Sequence, residues 1–222
     1  MNIIYGAPFS PFVKKVIVVL KLKGMEYTVE PVTPFNKTEE FIKISPLGKI
    51  PAYKDASVEL FDSSVICDYL DNKHPEPSIY PKEITKRALT LNLEEYADTR
   101  LAELLGRGLV YEKIVKPYFL KEAINLEVVN DTINNQLPKE LEYLNSEVLG
   151  KFMFGSEITI ADITIGSLFL NASYADYHVD NAKYPKLSAC LNNIFATDSF
   201  KEILNDDKIT FEKLRESALE KV

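Results

Sequence analysis

The first 70 or so residues carry short apolar runs broken by turn residues, a pattern that predicts a small domain of alternating strands and helices. Ser10 and Pro11 are typical of a helix start, and Gly24 is typical of its end. Apolar residues repeat along this first helix at helical spacing, which places Lys14 and Lys15 on its polar face. The element order is β-α-β-α-β-β-α, with strands predicted at 2–5, 27–32, 49–54 and 58–61 and further helices at 38–44 and 63–70.

A proline-dense stretch from His74 to Pro81 ends this pattern, and long helical periodicity follows it. We therefore predict an α/β N-terminal domain of residues 1–78, a linker of residues 79–86 and an all-helical domain of residues 87–222. The main helices of the second domain are predicted at 88–105, 126–148, 160–177 and 185–194.

Three local signals refine the helical half. Pro138 should kink the second of its helices. Thr159 and Asp162 have the spacing of a capping box, which predicts a helix start. The tail carries apolar residues on one helical face and is predicted to form one more amphipathic helix, with its apolar face at Phe211, Leu214 and Ala218.

Charge and cysteine content narrow the function classes. The formal charge is -7, and nucleic-acid binding needs a basic face, so nucleic acid is not an expected partner. The two cysteines provide neither a disulfide framework nor a zinc cage, and no metal is expected. No signal peptide and no run of about 20 apolar residues is present, so we expect a cytoplasmic protein with no membrane partner.

The segment Phe9-Ser10-Pro11-Phe12 joins the first strand to the first helix. Thioredoxin-like proteins place the first cysteine of their CxxC motif at this point, and here the position is Ser10. A serine hydroxyl there can hold a thiolate, or it can simply cap the helix by accepting N–H bonds. One hydroxyl has the capacity for both, because its lone pairs accept while its hydrogen donates.

Two further motifs lie in the same domain. Ile50-Pro51 precedes the third strand, where thioredoxin-like folds carry a cis-proline; the alternative is an ordinary trans proline that opens a strand. Asp62-Ser63 stands between the fourth strand and the third helix. A helix N-terminus offers free N–H groups and a partial positive charge to a carboxylate, while Asp and Ser are also common plain caps.

In their order and domain layout these motifs resemble the cytosolic glutathione transferases, and the resemblance covers nearly the whole chain. The stretch around Ser10 is most similar to the serine-using classes, the plant tau class above all. The resemblance implies a thioredoxin-like N-terminal domain, an all-helical C-terminal domain, a homodimer and glutathione as co-substrate. It makes Ser10 the catalytic residue, whose hydroxyl donates a hydrogen bond to the glutathione sulfur.

The same resemblance assigns the rest of the glutathione site. Ile50 would pair through its main chain with the cysteinyl part, and Ser63 would bind the γ-glutamyl carboxylate. In the family a Glu or Gln usually meets the γ-glutamyl amine at the position of Asp62, which is shorter by one methylene. Lys37 and Lys49 are candidates for the glycine carboxylate. The residues placed at glutathione are Phe12, Lys37, Lys49, Ile50, Pro51, Asp62 and Ser63.

The electrophile pocket is expected between the two domains. Arg107 and Tyr111 are candidates to polarise a leaving group or carbonyl, with Glu103 and Lys113 as further lining; simple helix surface is the alternative for all four.

The implied reaction is attack of the glutathione thiolate on a small hydrophobic electrophile, a transferase activity that serves detoxification. Glutathione peroxidase or isomerase activity at the same site is the alternative, although the Ser-Ser-Cys type start of the isomerising zeta class is absent. An omega-type thiol reductase needs a cysteine where Ser10 stands. A noncatalytic relative that uses the fold for protein interaction is the alternative from a different class.

Overall fold

A computed structural model describes residues 1–32 and 37–207. The chain divides into two compact units, one from Met1 to Pro81 and one that begins at Lys82. The linker predicted at 79–86 stays a prediction; helix α4 begins at Ile84 within that range. The tail residues Phe211, Leu214 and Ala218 lie outside the described residues.

The first unit is a four-stranded mixed sheet with helices, and the predicted order β-α-β-α-β-β-α is confirmed. Thr38 caps α2 through its hydroxyl, which accepts the N–H of Phe41. The elements are β1 (Asn2–Gly6), α1 (Pro11–Leu22), β2 (Tyr27–Pro31), α2 (Glu39–Ile44), β3 (Ala52–Lys54), β4 (Glu59–Phe61) and α3 (Ser63–Lys73).

The sheet order β2-β1-β3-β4 decides which chain ends meet. β1 is parallel to β2 and antiparallel to β3, and β3 is antiparallel to β4. In this register Tyr5 pairs with Ala52, and Ala52 pairs with Phe61. The C-terminal ends of β1 and β4 therefore flank the N-terminal end of β3 at one edge of the sheet.

Helix α1 corrects one expectation from the sequence. Lys14 and Lys15, which the periodicity placed on a polar face, are 1% and 0% exposed. The Lys15 ammonium donates to the Ser64 hydroxyl at 2.9 Å. An ammonium group is costly to bury unless it is hydrogen-bonded, so tertiary partners rather than solvent satisfy this face.

The second unit is helical in its described residues. Helix α4 (Ile84–Tyr96) continues into π1 (Ala97–Leu120), which has the wider hydrogen bonding of a π-helix. It is followed by α5 (Leu126–Asp131), π2 (Thr132–Gln136), α6 (Leu137–Glu147), α7 (Ile160–Tyr174) and α8 (Pro185–Phe195), and residues 198–207 are helical as well.

Two sequence signals are visible in this unit. The predicted capping box is confirmed, because the Asp162 carboxylate accepts the N–H and the hydroxyl of Thr159 at 2.8 and 2.7 Å. Burial raises the pKa of Asp162 despite these hydrogen bonds. The π hydrogen bonding of π2 ends at Gln136, two residues before Pro138, which has no N–H to donate. Among the described residues, no helix has the length and apolarity needed to span a bilayer.

Candidate functional site

Three sequence motifs meet at one edge of the first unit's sheet. The turn to Ser10 leaves the end of β1, Pro51 leads into β3, and Asp62 follows the end of β4. Ile50 lies close to the end of β1, since a Cβ built on Gly6 would lie 3.4 Å from the Cβ of Ile50. Segments that are up to about 50 residues apart in the chain thus share one small region.

Ser10 is the N-cap residue of α1, yet its hydroxyl does not cap the helix. Its main-chain N–H donates to Ala7 O at 2.9 Å and closes a turn. Within residues 1–32 and 37–207 the Ser10 hydroxyl has no hydrogen-bond partner, and the residue is half-buried. The simple capping role is therefore absent here, and the hydroxyl is available to donate to a ligand. Phe12 lies half-buried on the first turn of the same helix.

The peptide bond between Ile50 and Pro51 is cis, as the resemblance implied. Pro51 is buried and Ile50 is half-buried. In the described part of the chain, neither the N–H nor the C=O of Ile50 has a backbone partner. Both groups are thus free to pair with an extended ligand, as an added strand would.

Lys37 and Lys49 lie around the turn that leads to Ile50. Gly48 in this turn has a φ of 62°, and the Lys37 ammonium lies 3.2 Å from the position that a Cβ would take on Gly48. Lys49 is exposed, and its C=O accepts the Ser45 hydroxyl at 2.7 Å. Neither lysine has an ion-pair partner among the described residues.

Asp62 and Ser63 begin α3 in different ways. Asp62 has a φ of 78°, which is rare for a residue other than glycine, and its carboxylate accepts the N–H groups of Ser64 and Val65 at 3.0 and 3.3 Å. It is therefore the helix cap. Ser63 is 5% exposed, and its hydroxyl has no partner among the described side chains and backbone groups. Sequence reasoning did not identify this division of roles.

A cavity of about 310 Å³ lies within the helical unit between π1 and the α5–π2 helix. The predicted residues Glu103, Arg107 and Tyr111 line it together, but Lys113 does not. The Lys113 ammonium instead donates to Ala175 O. The cavity is further lined by Leu104, Gly108, Glu112, Val128, Thr132 and Gln136.

The acidic side chains at this cavity have ion-pair partners, whereas its arginine has none among the described residues. Burial alone raises the pKa of Glu112, but hydrogen bonds from Lys116 and from the Asn125 N–H bring it below its usual value. Glu103 forms an ion pair with Arg100 at 3.1 Å. Arg107 has no ion-pair partner in the part of the chain that the structure describes. Its guanidinium is thus a free cation at the cavity.

Titratable side chains in the described part of the chain do not cluster as metal ligands. The described residues contain no group of three or more His, Cys, Asp or Glu side chains placed to hold a metal ion.

Comparison with known proteins agrees with this architecture. The family model for the glutathione S-transferase N-terminal domain matches residues 4–78, and that for the C-terminal domain matches residues 110–207. A glutathione S-transferase from Rhodospirillum rubrum F11 has a TM-score of 0.83 at 25% identity, covering 92% of both chains.

The relatives with similar sequences include proteins named as transferases and a protein named as an isomerase. A glutathione S-transferase of Triticum aestivum is 30% identical over 188 residues, 84% of each chain. Glutathione S-transferase Z1 of Arabidopsis thaliana is 28% identical over 196 residues, 86% of this chain and 85% of its own. Maleylacetoacetate isomerase of Rattus norvegicus is 24% identical over 202 residues, 84% of each chain. The chain therefore belongs to the glutathione S-transferase family.

Proposed function

We propose that this chain is an enzyme that binds glutathione in its first unit, ionises the thiol and transfers it to small hydrophobic electrophiles. One observation carries the proposal: three motifs converge at one sheet edge, and each leaves polar groups without a partner among the described residues. These groups are the Ser10 hydroxyl, the main chain of Ile50 and the Ser63 hydroxyl. They suit a thiolate, a peptide backbone and a carboxylate in turn.

In the proposed complex Ser10 donates to the sulfur, and Ile50 pairs with the cysteinyl main chain beside Pro51. Ser63, at the N-terminus of α3, receives the γ-glutamyl carboxylate. Lys37 and Lys49 would meet the glycine carboxylate, which is supported by the position of the Lys37 ammonium near Gly48 in the turn before Ile50. Phe12 supplies apolar contact at the start of α1.

Hydrogen-bond energies are sufficient for thiol activation. A thiol has an ordinary pKa of about 8.5, and each unit of lowering requires about 1.4 kcal/mol. A hydrogen bond to a charged group contributes about 1.5 to 3 kcal/mol. The N-terminus of α1 adds about 0.3 to 1 kcal/mol. Together they lower the thiol pKa by about one to three units, which ionises much of the bound glutathione near neutral pH.

Asp62 has two parts in this proposal, as the cap of α3 and as a contact for the γ-glutamyl ammonium. Its carboxylate holds two N–H groups of α3, so Ser63 carries the carboxylate contact at this helix end. The second Asp62 oxygen is left as an acceptor for the γ-glutamyl ammonium, which is the family role of the longer acidic residue.

Arg107 and Tyr111 are proposed to contact the electrophile. The support is that both line one cavity of the helical unit and that Arg107 has no ion-pair partner in its described surroundings. An unpaired guanidinium favours acceptors that carry or develop negative charge on oxygen.

Isomerisation of an activated double bond is the second candidate, because a relative of similar length is named maleylacetoacetate isomerase. Addition of the thiolate to such a bond, rotation and elimination would change its geometry and return free glutathione. The two reactions are separated by their stoichiometry. Conjugation consumes one thiol for each acceptor, whereas isomerisation of maleylacetoacetate would leave the glutathione concentration constant.

Family membership also leads us to propose a homodimer and a cytoplasmic location. Light scattering coupled to size-exclusion chromatography tests the first, and fractionation of the host cell tests the second.

The proposed function is tested by calorimetric titration of glutathione into wild type, Ser10→Ala and Ser10→Thr, followed by conjugation rates with an aryl halide across pH. We expect all three to bind glutathione and Ser10→Ala to lose about 10²-fold or more in rate at neutral pH. Ser10→Thr keeps a hydroxyl and should retain part of the rate. Absence of glutathione binding by the wild type would refute the enzyme and leave the interaction protein as the explanation.

A further inference from the structure

The turn that presents Ser10 has two carbonyl groups that the turn itself does not use. Its closing hydrogen bond runs from the Ser10 N–H to Ala7 O at 2.9 Å, so the central residues are Pro8 and Phe9. Their carbonyl oxygens lie before the start of α1 and outside the hydrogen bonds of that helix. Pro8 also lacks an N–H, which leaves this turn with few bonds of its own.

Lys14 supplies the bonds that the turn lacks. Its ammonium donates to Pro8 O at 3.0 Å and to Phe9 O at 3.3 Å, and it lies 5.1 Å from the centre of the Phe9 ring. Its own main-chain N–H donates to Ser10 O at 2.9 Å. One residue is therefore bonded to three consecutive residues that end at Ser10.

Because the Lys14 side chain is buried, it depends on its hydrogen bonds to the turn. Lys14 is 1% exposed, and a buried ammonium must keep its hydrogen-bond acceptors, because an unpaired one is strongly unfavourable. The turn and the lysine thus fix each other. A change of orientation at Pro8 or Phe9 would remove an acceptor from the ammonium.

We infer that Lys14 is the positioning residue for Ser10, holding the Pro8–Phe9 turn so that the Ser10 hydroxyl points at the thiol. This inference rests on the proposed function. Lys14 does not touch the substrate in this scheme; it acts through the turn. Misplacing a reacting group by about 1 Å lowers a rate by up to about 10²-fold, so the effect of losing these bonds is measurable.

The test compares wild type with Lys14→Met, Lys14→Arg and Lys23→Met. Lys23 is the control at the other end of α1: its side chain is 0% exposed, and it donates to Asp71 Oδ1, His74 O and Pro77 O at 2.8, 2.6 and 3.0 Å. Its removal destabilises the same unit without touching the turn before Ser10. Lys14→Gln, a neutral donor, replaces Lys14→Met if the latter does not fold.

The main readout is the pKa of the glutathione thiol when bound, measured from the ultraviolet absorbance of the thiolate across pH. The second readout is the pH profile of kcat/KM for conjugation. For Lys14→Met we expect the thiol pKa to rise by about 0.5 to 1 unit toward that of free thiol, and kcat at neutral pH to fall about tenfold. KM for glutathione should change less than about twofold, because a positioning defect acts on kcat. Lys14→Arg should restore the thiol pKa, and Lys23→Met should leave it unchanged.

The outcomes separate the two proposals. If wild type does not bind or ionise glutathione, the proposed function fails first. If wild type ionises it and Lys14→Met gives the same thiol pKa, the positioning role of Lys14 is wrong. An equal shift in Lys23→Met would also overturn it, because the effect would then follow stability alone.

Discussion

At the scale of single residues, burial directs the Lys14 side chain to backbone carbonyl groups instead of solvent. Lys14 lies four residues after Ser10, and helical side chains lean toward the N-terminus of their helix, so it reaches back over the turn before α1. The helical periodicity placed Lys14 on a polar face and could not identify the hydrogen-bond partners that bury it. A lysine four residues after an N-cap serine is the sequence signal that could have identified this contact.

The two cysteines provide a prediction at this scale. Cys67 and Cys190 form no disulfide and are 0% and 1% exposed. Burial, and then the nearby Asp162 carboxylate, raise the pKa of Cys190 to about 12. Since the thiolate is the reactive form, the folded protein should not react with an aromatic disulfide at neutral pH, whereas the denatured protein should react twice.

Ser57→Cys is the positive control for this labelling, because Ser57 is exposed in the β3–β4 turn. It should give one thiol that reacts at once. Reaction of native wild type at the rate of this variant would contradict the burial of both cysteines.

At the scale of elements, the close packing of π1 against π2 depends on a glycine. A Cβ on Gly108 in π1 would lie 2.5 Å from Thr132 Oγ1 and 2.8 Å from its Cγ2, so the two helices approach each other at this point. Gly106, two residues earlier in the same helix, has nothing within 4 Å of its Cβ position.

These neighbours should respond oppositely to the same substitution. Gly108→Ala is expected to lower the free energy of unfolding by about 1 to 3 kcal/mol, because it overpacks the contact with Thr132. Gly106→Ala should raise it by about 0.5 to 1 kcal/mol through helix propensity. Urea denaturation measures both values, and a shift of the same sign in the two variants would exclude packing as the cause.

At the scale of the whole molecule, acid stability depends on the β3–β4 turn. Asp55, with 4% side-chain exposure, accepts hydrogen bonds from Lys73, Tyr53 and Tyr69 and from the N–H groups at its own turn. Burial alone would raise the pKa of this carboxyl, but these hydrogen bonds hold it well below its usual range.

Because the pKa of Asp55 is lower in the folded state than in the unfolded state, the direction in which pH changes stability is fixed. The unfolded carboxyl titrates near pH 3.9, so its stabilisation is fully present above that value and is lost as the pH falls toward the folded pKa. We expect Asp55→Asn to lower the free energy of unfolding at neutral pH by about 1 to 3 kcal/mol. Its difference from wild type should shrink below about pH 4.

Denaturant unfolding at several pH values tests this expectation. Asp198→Asn is the control, since its side chain is 96% exposed and its contact with Lys201 is 3.5 Å long. It should change stability by less than about 0.5 kcal/mol. A difference between Asp55→Asn and wild type that is constant down to low pH would show that the charge of Asp55 is not the cause.

The sequence by itself determined the elements and the family. Strand alternation, the Ser10-Pro11 start and the Thr159–Asp162 box are local signals, because caps and periodicity involve neighbours along the chain. The order β-α-β-α-β-β-α and the resemblance to glutathione transferases followed from them. Most boundaries shifted by a few residues, as for α3, which extends to Lys73. The end predicted for the helix at 88–105 was wrong, because α4 and π1 continue to Leu120.

Only the tertiary structure decided which groups these side chains contact. It showed that Asp62 caps α3 while the Ser10 hydroxyl does not cap α1. It also brought Arg107 and Tyr111 to one cavity and directed Lys113 elsewhere. Sequence patterns encode which face is apolar, but hydrogen bonds between segments far apart in the chain depend on sheet register and helix packing, which no local pattern contains.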